Sequence, residues 1–136
     1  MKNIVFVLIL TTFTSLVHAG QINLCRRWYS YDIFQTYLRL NVDPKASLII
    51  MDRHIPYGIR PMGYKINKAV CDETKTSVKI YSTTELGENF LFSFHAENDS
   101  PSQSGYVTYF DQTGDPTYTQ EWECFLDQVK ELCAEY

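Results

Sequence analysis

The chain has no G-x-S-x-G, no H-E-x-x-H, no phosphate-binding glycine loop and no G-x-G-x-x-G. The nucleophile elbow, the zinc-protease helix and the common nucleotide-binding turns are therefore excluded. It lacks any C-x₂-C pair or Cys/His cluster, which removes the usual zinc spacings, and no metal or cofactor is expected. There is no internal repeat, no low-complexity tail and no linker. Basic residues are almost absent from the second half: positions 80–136 hold one lysine, Lys130, against eleven Asp and Glu, a net of −10. Positions 20–79 hold ten Lys and Arg against five acids, a net of +5. A uniformly basic nucleic-acid binder is excluded by that imbalance, and no nucleic-acid partner is expected. Either the halves neutralise one another in the fold, or an acidic face attracts a cationic partner.

What is present begins with an address. Residues 1–19 place Lys2 before the apolar run IVFVLIL and end in Val17-His18-Ala19. This is the layout of a secretory signal peptide cleaved after Ala19, and the run is too short and threonine-rich for the ~20 apolar residues of a membrane span. The expected product is secreted or periplasmic, without a stable membrane anchor, and its 117 residues, 20–136, suit one domain. All four cysteines, Cys25, Cys71, Cys124 and Cys133, fall in it and read as two disulfides. If Cys124 and Cys133 share a helix, nine residues separate them by ~13.5 Å along its axis. That exceeds the ~7 Å that disulfide Cα atoms rarely pass, so both should reach back to Cys25 and Cys71. Which pairs with which stays open.

Alternation marks the strands. FQTYLRLNV, SLIIMD, SVKIYST, FLFSFHA and GYVTYFD each place apolar residues at every second position or in a short run. The stretch 25–33 reads as a strand because Tyr, Trp and Ile dominate it. Turns are expected at Asp43-Pro44-Lys45-Ala46, around 72–76, within TELGEN, in the polar stretch ENDSPSQSG, and at Gly114-Asp115-Pro116. Trp122, Phe125, Leu126, Val129, Leu132 and Cys133 recur at helical spacing, predicting an amphipathic helix from near Glu123, although TYTQEWE also suits a strand. The expected fold is α+β and mostly β: an antiparallel sheet or partly open barrel of five to seven strands, with one C-terminal helix packed on it.

Two features bear on function. MDRHIPYGIRPMGYK, residues 51–65, holds two Pro-Gly units spaced as type I turns want them, predicting two bends in an extended connector at a sheet edge. Its Arg53, His54, Tyr57, Arg60 and Tyr64 are the candidate binding residues. The second feature is the aromatic load, ten tyrosines and eight phenylalanines in the whole chain, suiting contact surfaces as well as core. His54 and His95 are the two histidines after residue 19 and would serve acid–base work only if brought together. Asn98-Asp99-Ser100 matches a glycosylation sequon, although Pro101 disfavours it. The leading expectation is a non-enzymatic protein that recognises a protein partner, in one form an inhibitor of a cationic enzyme. A small-ligand β domain with an aromatic-lined pocket is the alternative, and a hydrolase using His54 or His95 the third.

Overall fold

The computed structural model describes residues 20–31, 34–84 and 87–136, so the expected signal peptide lies outside the described residues. Eight strands follow in order: β1 (Ile22–Tyr31), β2 (Phe34–Asp43), β3 (Leu48–Ile55), β4 (Gly58–Cys71), β5 (Ser77–Thr83), β6 (Asn89–His95), β7 (Ser102–Phe110) and β8 (Pro116–Phe125). Each pairs antiparallel with the next, and β1 pairs with β8, closing a barrel. One helix, α1 (Leu126–Glu135), follows. The mostly-β fold with a C-terminal helix packed on an antiparallel sheet holds; the strand number does not. The two additional strands are β4, where residues 58–71 run as one strand through the second Pro-Gly unit, and β8, where TYTQEWE takes its extended alternative. The helix accordingly starts at Leu126 rather than near Glu123.

Pro61 is tolerated in β4 because pairing with β5 begins only at Lys65↔Thr83, so residues 58–64 form a free edge on that side. The first Pro-Gly unit is a real turn: Ile55 pairs with Gly58 around Pro56 and Tyr57. Proline's fixed negative φ at the second turn position excludes the mirror-image turns usual for two-residue hairpins. A short turn between β2 and β3 is held by Asp43, whose carboxylate accepts from the Lys45 and Ala46 backbone N–H groups at 3.1 Å each.

α1 lies across the end of the barrel where β1 begins and β4 ends, touching β1, β5 and β8. It buries Leu126, Val129, Leu132 and Cys133. No side chain caps its N-terminus; the Leu126 N–H instead donates to the Pro101 carbonyl at 2.9 Å. Two disulfides join this region: Cys25–Cys124 between facing positions of β1 and β8, and Cys71–Cys133 between β4 and α1. Cys124 and Cys133 thus both reach back, although Cys124 stands on a strand and not on the helix. Gly105 makes the first bridge possible, since a Cβ there would sit 2.6 Å from the Cys124 sulfur and 3.3 Å from the Phe92 ring. Two disulfides fit an oxidising, exported environment, and among the described residues no helix is long and apolar enough to cross a membrane.

The barrel wall is incomplete at the opposite end, which we term the mouth. β1 and β8 share only Cys25↔Cys124 and Arg26↔Glu123, and β2 leaves β3 beyond Leu40↔Met51. The β1–β2 hairpin beyond these points is paired only to itself. Asp52 closes the gap beside β2. It is buried and accepts from the Arg39 backbone N–H at 3.0 Å and from Arg39 Nε at 3.2 Å, replacing a lost strand partner.

Candidate functional site

Inward-facing residues change character along the barrel axis. In β3 they run Ile49, Met51, Arg53 from the capped end to the mouth; in β7, Gly105, Val107, Tyr109; in β8, Cys124, Trp122, Gln120, Tyr118. In β5, Val78 and Ile80 give way to Ser82. The capped half is filled by Leu24, Leu40, Ile49, Ile80, Phe92, Val107 and the helix residues. The mouth half is a cup of about 420 Å³, within the ~300–1,000 Å³ range of small-molecule sites.

Arg53 is part of its lining. Its guanidinium carbon lies 5.6 Å from the Tyr64 ring centre and 5.9 Å from that of Tyr109, within cation–π range. Tyr64 is buried and meets Phe90 edge-on at 5.4 Å. Tyr109 stacks on Tyr118 at 5.9 Å, and its hydroxyl donates to Met51 Sδ at 3.3 Å or to Gln120 Oε1 at 3.5 Å. Burial pushes the Tyr109 phenol above its ordinary value; the Arg53 charge opposes this without cancelling it, so the group remains a hydrogen-bond donor at neutral pH. Tyr29 and His54 stack across the rim at 4.5 Å between ring centres. Arg27 from β1 and Glu88 from the approach to β6 complete the charged lining. Trp122 forms part of the floor, its indole Nε1 buried without a hydrogen-bond partner among the described residues.

Of the five expected binding residues, Arg53, His54 and Tyr64 converge here. Tyr57 is 98% exposed at the tip of the β3–β4 hairpin, and Arg60, opposite Arg53 in the register and so on the same face of the sheet, is exposed and not part of the cup's lining. Sequence reasoning missed Arg27, Tyr29, Tyr109, Tyr118 and Gln120. The available signal was polar or aromatic residues continuing the inward parity of otherwise apolar strands.

A larger depression of about 860 Å³ lies on the outer wall over β4–β7, with Val70, Lys79, Ser93, His95 and Tyr106 around it. Ser77 Oγ and His95 Nδ1 are 2.5 Å apart in it, a cross-strand pair fixed by the Ser77↔His95 register. Among the described residues no carboxylate accepts from the other His95 nitrogen, so the orienting third member of a nucleophilic triad is missing. Several of its polar side chains are already engaged: Gln103 with the Asn98 and Ser100 carbonyls at 2.9 Å, and Ser104 with Glu121 at 2.6 Å. His54 sits at the mouth and His95 at the capped end, so the two histidines form no common acid–base site. Among the described residues no group of three or more His, Cys, Asp or Glu side chains could hold a metal. Comparison of the chain with family models, with curated proteins and with solved structures finds no match.

Proposed function

We propose that the chain is a non-enzymatic binding protein whose barrel mouth holds a small molecule with an apolar, flat body. The supporting observation is the division of the interior, solid at the capped end and a cup of about 420 Å³ at the other, with tyrosines, Met51 and Leu38 in its lining. An eight-stranded barrel has an interior that side chains can either fill or leave open for one small ligand, and here both occur along one axis. Tyr29, Tyr109 and Tyr118 supply flat faces and hydroxyl donors together, suited to a ring system with polar substituents. The test is titration with the neutral dye phenylnaphthylamine, whose emission rises in apolar surroundings. Saturable one-to-one binding that is abolished by Gln120→Trp, with the near-ultraviolet circular dichroism of a folded barrel retained, is the expected result. Absence of saturable binding by the wild-type protein would remove the reading.

A second reading, recognition of a protein partner, draws on the β3–β4 hairpin. Its tip projects past the end of β5 and presents Tyr57, Ile59 and Arg60 to solvent. The charge asymmetry favours it too, because among the described residues a single ion pair, Arg26–Glu123 at 3.0 Å, joins the basic and acidic halves. Lys65, Lys68 and Lys79 face outward on β4 and β5, while Glu121, Asp127 and Glu131 face outward on β8 and α1. A steered encounter with a charged partner should weaken as salt rises. Pull-down from the host's secretions at low and high salt, with Tyr57→Ser as the comparison, tests it. Equal recovery by both proteins would argue against the hairpin as the contact.

A further inference from the structure

Arg53 is a half-buried cation that pairs with no acid among the described residues. The two ion pairs among the described residues are Arg26–Glu123 and Arg39–Asp52, and neither involves it. Asp52, next to it in sequence, is buried and committed to Arg39. The neighbours that do hold Arg53 are rings: Tyr64 and Tyr109 flank it at cation–π distance. Rings fix the direction of a guanidinium but accept few of its five N–H donors, so most are left for a group entering the cup. Arg27 adds a second positive charge to the same lining, where the acids among the described residues are Glu88 and the already paired Asp52. Formally two cations face two acids there, but Asp52 is held by Arg39, which leaves Glu88 as the uncommitted acid among the described residues of the lining.

We infer that Arg53 is an anion anchor, and that the ligand of the cup carries one oxyanion group on its flat apolar body. The oxyanion takes paired N–H donors of the Arg53 fork while the ring system lies against Tyr109, Tyr118 and Tyr29. A planar guanidinium already oriented by two tyrosines loses little freedom on making those bonds, which favours bidentate recognition of a carboxylate or sulfonate over a single contact. This inference rests on the cup being the binding site, and the experiment separates the two claims.

Two dyes of nearly the same body serve as probes: anilinonaphthalene sulfonate, which bears an anion, and the neutral phenylnaphthylamine. Hydrogen bonds to a charged group contribute ~1.5–3 kcal/mol, so the sulfonate should bind at least about tenfold more tightly. In Arg53→Met that ratio should fall towards one while the neutral dye keeps its affinity. Lys68→Gln, a cation of the outer wall, should leave the ratio unchanged. Raising salt on the wild-type protein should shrink the ratio as well, a readout available even if Arg53→Met fails to fold. Equal binding of both dyes, or a preference that survives Arg53→Met, overturns the anchor while leaving the cup as a binding site. Binding of neither dye overturns both.

Discussion

The two halves of the barrel are made from the same strands and behave as different materials. At the capped end the interior is aliphatic and aromatic carbon, crossed by a disulfide, covered by α1 and tied by a second disulfide. At the mouth the strands carry tyrosine, arginine and glutamine inward, and two hairpins run on past their neighbours with unpaired edges. The contrast shows where stability is concentrated. Burial at ~25 cal/mol per Å² and two covalent links hold one end so firmly that the other can keep an open cavity and a cation, Arg53, that pairs with no acid among the described residues.

The contrast breaks most severely if the helix is released. Replacing Cys71 and Cys133 with serine is expected to lower stability by ~2–5 kcal/mol, read from denaturant unfolding, because the cross-link no longer restrains the unfolded chain. Dye binding at the mouth, measured well below the unfolding transition, should change less than about twofold, since a tenfold change would need ~1.4 kcal/mol at the site itself. Loss of both in parallel would mean that the ends are not independent. Gly105→Ala should come next. Its Cβ would meet the Cys124 sulfur at 2.6 Å, and that sulfur, locked in a disulfide, has no flexible end to swing away. Overpacking of this kind costs ~1–3 kcal/mol, and thermal unfolding of the oxidised protein reports it. An unchanged midpoint would mean that the β7–β8 wall can yield.

The smallest expected effect compares two turns, one at each end. At the capped end Asp72 accepts hydrogen bonds from Thr74, Thr76 and Ser77. Partial desolvation there works in the opposite direction, but these bonds outweigh it and pull the carboxyl down to about 2. At the mouth Asp111 is lowered chiefly by the Thr113 hydroxyl and then by the Asp115 N–H. A depressed folded-state pKa gives stability that is present above the unfolded value, ~3.9, and lost as pH falls through the folded one. Wild-type stability should therefore decline between pH ~4 and ~2. Asp72→Asn and Asp111→Asn should each flatten part of that slope in urea titrations, Asp72→Asn more. Identical slopes in all three proteins would assign the acid sensitivity elsewhere.

Sequence alone conveyed the strands whose inward residues are apolar throughout, such as Phe90, Phe92 and Phe94, because burial and periodicity coincide there. It conveyed the turns with a local cause, Asp43 and Asp72, and the reach of the last two cysteines back to the body. It failed where a tertiary edge overrides local preference. Pro61 reads as a turn unless one knows that β5 does not accompany that part of β4. TYTQEWE reads two ways because helical and strand periods both fit, and only pairing with β7 decides. For the cup, Arg53, His54 and Tyr64 were found through one unusual stretch. Arg27, Tyr29 and Tyr109 were not, because convergence of strands distant in sequence is a property of closure, and closure depends on the β1–β8 contact.

That contact also changes what a protease can do to this molecule. Cys25 and Cys124 stand 99 residues apart, so their bond makes nearly the whole barrel a covalent ring. A single cut in any turn within that interval, for example in the exposed stretch 97–100, opens the ring but frees no fragment. The pieces stay joined through sulfur, and the paired strands remain neighbours. Cleaved and intact protein should migrate together until reductant is added, and the nicked barrel can persist as a folded species where proteases are present.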